Sequence, residues 1–266
     1  MIYFRRFGMH GQFGNQLWQY AILRTMANKL GTDVAIQMNL HAGKGRGMYE
    51  LGPLSIRAQR YNDQEVTVTY EYNGQRYRPE TLAQPDGTDY AGYFQCWKYL
   101  DETPPSFYEE IAPCQMLSDQ VDVLLAAHRR PGRKLVAVNV RRGDYLTSKD
   151  FHLVLSAKFY AGAMHELDDG QTDFVVVSDD IPWCQQNIAS TQNLIPPTHW
   201  HSFTFMSRCD GIIGSASSFS WWAAHLQERR DPSLPAIFPD QWFGSAGPDY
   251  DINELVPPTW TKRKAT

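Results

Sequence analysis

Cysteine is scarce in this 266-residue chain, and its four cysteines, at positions 96, 114, 184 and 209, form no Cys-x-x-Cys pair. Scattered cysteines provide neither a disulfide framework nor the paired spacing of a zinc site, so they predict a reducing compartment. Basic residues are also outnumbered by acidic ones: the formal net charge is −4, and the sequence has no long basic run. Composition therefore argues against a protein whose affinity comes from nucleic-acid phosphates.

Long hydrophobic runs and targeting signals are missing as well. No apolar run reaches the length that crosses a bilayer, and residues 2–7 show no signal-peptide pattern. We therefore expect a soluble, cytoplasmic protein without a transmembrane segment. Hydrophobic residues make up 42% of the chain, enough to bury a core in one large domain or two ordinary ones. The sequence does not indicate which oligomeric state the protein adopts.

The most informative stretch is Val136-Ala-Val-Asn-Val-Arg-Arg-Gly-Asp-Tyr145. Its apolar, β-branched start predicts a buried strand, but a core strand does not need the charges of Arg141, Arg142 and Asp144. In an open α/β sheet, ligands bind outside the carboxyl ends of the strands, where these three residues are expected. Two guanidinium forks at such a position suit a diphosphate. The alternative is a solvated turn between a strand and a helix.

Two further strands are predicted to end in polar residues. Asp173-Phe-Val-Val-Val177 runs into Ser178-Asp179-Asp180, and Asp210-Gly-Ile-Ile213 runs into Gly214-Ser-Ala-Ser-Ser-Phe-Ser220, where Ser218 is expected to cap a helix. Parallel strands would place all three strand ends on one edge of the sheet. Each polar set has a simpler interpretation as helix capping, but the coincidence of three favours a ligand site built from arginines, hydroxyls and helix N-terminal amides.

The N-terminal region begins with a strand, a glycine-rich loop, a helix and a second strand. The loop Gly8-Met-His-Gly-Gln-Phe-Gly-Asn15 precedes a helix that should stop at Gly31. Its glycines are spaced by three, which is not the Gly-x-Gly-x-x-Gly of dinucleotide-binding proteins, so a nicotinamide site is rejected. Two interpretations stay open: the glycines serve a tight turn, or they let a ligand approach the backbone at the helix N-terminus.

From residue 135 onward, strands and helices alternate. This alternation predicts an α/β fold whose C-terminal half contains a parallel, doubly wound sheet, with Pro235-Ala-Ile-Phe238 as its last strand.

An ordered set of motifs resembles the α-1,2-fucosyltransferases, inverting glycosyltransferases that use GDP-fucose. The motifs that carry the resemblance are, in chain order, Gly14-Asn-Gln-Leu-Trp-Gln-Tyr-Ala21, Gly92-Tyr-Phe-Gln95, Val140-Arg-Arg-Gly-Asp-Tyr145, Phe174-Val-Val-Val-Ser-Asp-Asp180, Ser217-Ser-Phe-Ser-Trp-Trp-Ala-Ala224 and Pro239-Asp-Gln-Trp-Phe243. The set covers most of the chain, and the weakest match is roughly residues 40–90.

The resemblance implies a GT-B-like fold of two Rossmann-like domains, an acceptor-side domain at residues 1–130 and a donor domain at residues 131–266. It also implies metal independence, no cofactor beyond the donor substrate GDP-fucose, and a β-galactoside glycan as acceptor. The only Asp-x-Asp is Asp249-Tyr-Asp251, which we interpret as structural.

Residue roles follow from the same resemblance. Arg141 and Arg142 would grip the diphosphate and stabilise it as the leaving group. Ser217 and Ser218, with nearby backbone amides, would hold phosphate oxygens, and Asp179 would contact the guanine. Gly11, Gly14 and Asn15 would line the cleft beneath the donor. The expected donor-binding residues of the C-terminal half are Asn139, Arg141, Arg142, Asp179, Asp180, Ser217, Ser218 and Phe219.

One position departs from the family pattern: Asn139 stands where the family usually has histidine. Asparagine can donate and accept hydrogen bonds but cannot titrate, so Asp144 is our candidate general base. Two alternative functions stay open at this point. One is a transferase for another GDP-sugar or acceptor, and the other is a non-catalytic sugar- or nucleotide-binding module.

Overall fold

The computed structural model describes residues 1–38, 48–61, 66–74, 76–188 and 191–266. The chain divides into two compact units, Met1–Cys114 and Gln115–Thr266. This division falls before the helix at Gln115–His128, whereas the sequence suggested a boundary after residue 130. Within the described ranges, no helix combines the length and the apolar character needed to cross a bilayer.

The first unit is a parallel sheet with helices. Its elements are β1 (Ile2–Phe4), α1 (Phe13–Leu30), β2 (Val34–Ile36), β3 (Gln59–Arg60), β4 (Val68–Tyr72), β5 (Thr88–Gly92) and α2 (Pro105–Glu110), with 3₁₀ turns at Pro79–Leu82 and Trp97–Glu102. The strands lie in the order β3-β2-β1-β5-β4. The chain builds outward from β1 on one side and then returns to place β5 on the other, so the order reverses between β1 and β5. The predicted stop of α1 is confirmed, because Gly31 caps it with a left-handed φ of 62°.

A buried carboxylate joins α1 to α2 in this unit. The side chain of Glu110 is 0% exposed and accepts hydrogen bonds from the Tyr20 hydroxyl and from Arg24 Nη2, the latter at 2.6 Å. Burial, followed by the hydrogen bond to Glu110, raises the pKa of Tyr20, so the phenol stays a donor. Because a buried charge is tolerated only when it is paired, Arg24 is essential to this contact.

We expect Arg24→Leu to lower the free energy of unfolding by about 3–5 kcal/mol, because it leaves the Glu110 carboxylate buried without its counter-ion. Urea denaturation followed by circular dichroism measures the loss. The double variant Arg24→Leu, Glu110→Gln should recover most of it, since no charge is then buried. A single variant as stable as the parent protein would show that the ion pair does not compensate the burial of Glu110.

The second unit is a larger α/β sheet. Its elements are α3 (Gln115–His128), β6 (Lys134–Val140), α4 (Gly143–Thr147), α5 (Ala157–Leu167), β7 (Thr172–Ser178), α6 (Ile181–Asn187), β8 (Gln192–Leu194), α7 (His199–Ser207), β9 (Ile212–Ile213), α8 (Ser218–Arg230), β10 (Ala236–Pro239), α9 (Ile252–Leu255) and β11 (Thr261–Arg263). The strands are parallel, in the order β11-β10-β9-β6-β7-β8. The parallel, doubly wound sheet predicted for this half is confirmed. The prediction that β10 is the last strand was wrong, because β11 pairs with it. The sequence of β11, Thr-Lys-Arg, is polar and lacks the apolar pattern by which a strand is predicted.

The topology of this sheet fixes where a ligand can bind. From β6 the chain proceeds through β7 and β8 on one side, and then crosses to β9, β10 and β11 on the other. The order therefore reverses between β6 and β9, and the crevice outside the carboxyl ends of such strands is the usual binding position. Buried side chains of β6 and β7, such as Val138 and Val176, pack with Phe159 and Tyr160 of α5 and hold these strands in place.

Candidate functional site

The two arginines after β6 lie at this reversal point, and both contact carboxylates. Arg141 pairs with Asp144 (Nη2 to Oδ1, 2.7 Å) and with Asp179 (Nη1 to Oδ2, 2.8 Å). Arg142 donates from Nε to Oδ2 of Asp180 at 3.1 Å, and its guanidinium lies 3.8 Å from the ring centroid of Trp183. Its side chain is only 14% exposed. Ion pairing and ring stacking together hold the Arg142 fork in one orientation.

Asp179 connects the ends of β6 and β7. Its Oδ1 accepts the backbone N–H of Arg142 at 2.8 Å, while Oδ2 pairs with Arg141. Gly143 makes this approach possible, because a Cβ there would lie 2.8 Å from Asp179 Oδ2. Both carboxylate oxygens of Asp179 are thus engaged within the protein, and the expected contact with guanine stays a prediction.

Asp180 performs the capping role considered above and also contacts Arg142. It is the N-cap of α6, where Oδ1 accepts the backbone N–H of Trp183 at 3.2 Å. The same carboxylate uses Oδ2 for Arg142. One residue therefore begins a helix and orients an arginine of the site.

The serine-rich turn after β9 begins α8. Ser217, not Ser218, is the N-cap: its Oγ accepts the backbone N–H of Phe219 at 3.3 Å, and Ser218 is the first helical residue. The N-terminus of this 13-residue helix therefore lies at the carboxyl end of β9, where its amides and dipole favour an anion. Ser217 is buried, whereas Ser218 and Phe219 are partly exposed at this end.

Asn139 joins three neighbouring strand ends. Its Nδ2 donates to the Val177 carbonyl of β7 at 3.3 Å, and its Oδ1 accepts from Ser215 Oγ at 2.7 Å. The side chain is buried, so the amide is used at both ends inside the protein. It holds the β9 turn against β6, and a direct contact of Asn139 with the donor stays a prediction.

Tyr145 is a site residue that sequence reasoning did not select. Its hydroxyl donates to the Ala216 carbonyl at 3.1 Å, and its ring stacks on His152 with centroids 4.2 Å apart and planes 9° apart. Arg141 lies 5.5 Å from the centroid of the Tyr145 ring. Burial raises the pKa of Tyr145 to about 12 against a smaller opposing effect of Arg141, so the phenol stays protonated and keeps donating. Burial also lowers the pKa of His152, with Asp144 opposing, so the stacked ring is neutral near pH 7.

The first unit has a matching arrangement at its own reversal point. Gly11 has a φ of 96°, and an added Cβ would lie 1.9 Å from the Asn15 amide. Asn15 Oδ1 accepts from Gln95 Nε2 at 2.5 Å, which connects the loop after β1 to the segment after β5. Gln19 does the same, donating from Nε2 to the carbonyls of His10 at 3.0 Å and Gly92 at 3.1 Å.

The remaining predicted residue of this unit, Gly14, is buried in the first turn of α1. The N-terminus of that helix is bound by Glu50, whose Oε2 accepts the backbone N–H of Phe13 at 2.8 Å. Because a carboxylate already occupies this helix end, the glycine loop is a poorer anion site than the start of α8. The structure favours the tight-turn interpretation for Gly11, and its role beneath a donor stays a prediction.

A groove of about 550 Å³ lies at the opposite, amino-terminal edge of the second sheet, and its lining includes Arg130 and Arg133. Arg133 donates from Nε to Oδ1 of Asp173 at 2.7 Å, and Arg130 donates from Nε to Oδ2 at 2.6 Å. Asp173 is buried, and the two arginines hold the pKa of its carboxyl below the usual range. These forks stabilise a buried carboxylate of β7, which gives both arginines of the groove a structural role.

Metal ligands are sparse in the described parts of the chain, where no three His, Cys, Asp or Glu side chains come together to hold an ion. Asp251 of the single Asp-x-Asp is the N-cap of α9 and accepts the backbone N–H of Asn253 at 3.0 Å. Its geometry is thus that of a helix cap. The carboxyl edge of the second sheet instead offers two guanidinium groups and a helix N-terminus, groups that bind phosphate without a metal.

Comparison with known families and sequences gives a consistent result. A sequence profile of glycosyl transferase family 11 matches residues 91–243. Galactoside alpha-(1,2)-fucosyltransferase 1 of Pan troglodytes is 26% identical over 240 residues, covering 82% of this chain and 63% of the relative. The Homo sapiens protein of the same name is 25% identical, covering 96% of this chain and 76% of the relative. The O-antigen biosynthesis glycosyltransferase WbnK of Escherichia coli is 30% identical over 118 residues, covering 40% and 38%. The chain thus spans about two-fifths to three-quarters of the length of these relatives.

Solved structures show the same fold. NodZ, an alpha-1,6-fucosyltransferase soaked with GDP-fucose, superposes with a TM-score of 0.52 at 13% identity, covering 85% of this chain and 91% of NodZ. POFUT1 in complex with GDP-fucose superposes with a TM-score of 0.50 at 15% identity, covering 89% and 96%. These likenesses confirm the predicted GT-B-like α/β fold of two Rossmann-like units.

Proposed function

The chain belongs to glycosyl transferase family 11, and from this membership we propose that it transfers L-fucose from GDP-β-L-fucose to the 2-hydroxyl of a terminal β-galactoside, with inversion and without a metal. The family match confirms the resemblance to the α-1,2-fucosyltransferases that the sequence motifs indicated. The relatives' names support fucose as the transferred sugar and an α-1,2 linkage to a galactoside, at about 25% identity.

One observation carries the proposal: the arginines after β6 and the N-terminus of α8 after β9 meet at the reversal point of the second sheet. Two hydrogen bonds cross that point, from Ser215 to Asn139 and from Tyr145 to Ala216. A diphosphate there would find guanidinium forks and helix amides together, which is the combination that its charge and its paired phosphoryl groups require. This arrangement supports a nucleotide-diphosphate sugar as donor.

The proposed reaction is an in-line displacement. The acceptor oxygen forms a bond to C1 of fucose as the bond from C1 to the β-phosphate oxygen breaks, and GDP leaves with that electron pair. Arg142, whose fork is held by Asp180 and Trp183, stabilises the growing charge on the leaving phosphate. Asp144 accepts the proton of the attacking hydroxyl. Because the fork is already oriented, little reorganisation accompanies the development of charge.

The test is GDP release from GDP-β-L-fucose with a small panel of β-galactosides, followed by NMR assignment of the product linkage. We expect release that depends on a terminal galactose and an α-linkage to O2. Matched reactions with GDP-mannose, and with acceptors lacking the 2-hydroxyl, are the controls and should release little GDP. Equal release with another GDP-sugar, or an unchanged rate with the 2-deoxy acceptor, would contradict the donor or the linkage.

Metal removal gives a separate prediction. Because two arginines and the α8 amides bind the diphosphate in this proposal, we expect the transfer rate in excess EDTA to stay within about twofold of the untreated rate. The same GDP-release assay, with and without added manganese, measures it. Loss of activity on chelation that manganese restores would refute a metal-free site.

A further inference from the structure

Arg141 is shared by two carboxylates in a way that Arg142 is not. Each terminal amino group of Arg141 faces an acid: Nη2 faces Asp144 at 2.7 Å, and Nη1 faces Asp179 at 2.8 Å. Arg142 uses Nε for Asp180, and its own terminal amino groups have no hydrogen-bond partner among the described residues. Both terminal amino groups of Arg141 are therefore already ion-paired with carboxylates.

Charge at this strand end opposes an incoming anion for the same reason. Two arginines and the three aspartates 144, 179 and 180 sum to a formal charge of −1, from 2 − 3. A diphosphate that binds the terminal amino groups of Arg141 must compete with these two carboxylates. Removing either carboxylate also brings the remaining charge of the cluster to zero.

Asp144 is the carboxylate that can withdraw. Its side chain is 56% exposed, compared with 26% for Asp179, and its pair with Arg141 is a surface contact between residues three apart. Such exposed pairs contribute little, so water readily replaces the partner. Asp179 is fixed, because its second oxygen binds the Arg142 amide and its carboxyl packs against Gly143.

We propose that Arg141 keeps Asp144 engaged until the donor binds, and that the diphosphate displaces Asp144 and so makes the general base available. This rests on the proposed function. In the free protein, Oδ1 of Asp144 is directed at Nη2 of Arg141. Once a phosphate oxygen binds Nη2, Oδ1 of Asp144 is released and can accept the proton of the acceptor hydroxyl. The donor itself thereby assembles the catalytic carboxylate, and donor binding precedes productive acceptor binding.

The test is a double-variant cycle with GDP as the probe, measured by isothermal titration calorimetry on the full chain. Asp144→Asn removes the competitor of the phosphate, so we expect GDP to bind about two- to fivefold more tightly, the range of an exposed ion pair. In an Arg141→Gln background the same change should have less than about half that effect, because no fork remains to be released. Asp150→Asn, an exposed aspartate outside the ion-pair network, should leave GDP affinity unchanged.

The outcomes separate this inference from the function on which it rests. Unchanged or weaker GDP binding by Asp144→Asn overturns the displacement. Equal tightening with and without Arg141 also overturns it, because that result reflects through-space repulsion alone. If the parent protein does not bind GDP, the proposed donor fails instead.

Discussion

Replacing Arg142 with alanine is expected to reduce the transfer rate by about 10³-fold while the protein stays folded. The expected size follows from removing a preorganised donor to developing charge, which typically costs about 10²–10³ in kcat, and Arg142 adds a full positive charge to its hydrogen bonds. The fold should survive, because the described side-chain partners of Arg142 are Asp180 and Trp183, and alanine keeps the backbone N–H that bonds to Asp179. GDP release under saturating GDP-fucose measures kcat, and thermal unfolding verifies the fold.

Two matched variants make this result specific. Arg142→Lys keeps the charge but loses the planar fork, so its rate should lie between those of the parent and the alanine variant. Arg130→Ala removes an arginine from the opposite edge of the same sheet, where Arg133 still pairs with Asp173, and should leave kcat within about twofold. An Arg142→Ala protein within threefold of the parent would remove the leaving-group role from this residue.

Asp144→Asn is expected to reduce kcat by about 10²–10⁴-fold without weakening GDP binding, because general base catalysis contributes about that much to a rate. The amide keeps the size of the side chain, but it cannot take up a proton. Steady-state kinetics for both substrates separates this effect from a loss of donor binding. Asp150→Asn is the matched control and should keep the parent kcat. Near-parent turnover by Asp144→Asn would place the base elsewhere.

Much of the fold was predictable because the second unit repeats one simple pattern. Buried runs such as β6 and β7 are apolar on both faces, as parallel strands covered by helices must be, and each is followed by a helix. Elements whose residues lack that pattern were missed. β11 is polar because it pairs at the sheet edge, and its position depends on the strand beside it. Strand β5, which starts Thr-Asp-Tyr, is buried along its whole length by packing that its own sequence does not show.

The site was predictable only in part. Charged and hydroxyl residues at three strand ends were visible in the sequence, and their occurrence at all three favoured a ligand site over helix capping alone. Which atoms pair was not visible, because it depends on backbone approach. Asp179 reaches the Arg142 amide close beside Gly143, where an added Cβ would lie 2.8 Å from Asp179 Oδ2. Tyr145 was missed because a tyrosine in the first turn after a strand shows no functional pattern until its contacts with Ala216 and His152 are known.

The position of the diphosphate is the most direct test of the proposed site, and a crystal structure of the protein with GDP measures it. We expect phosphate oxygens within hydrogen-bond distance of Arg141, Arg142 and the first amides of α8, with Asp144 turned away from Nη2. A diphosphate bound instead against Arg130 and Arg133, at the amino-terminal edge of the sheet, would contradict the donor site and the chemistry assigned to it.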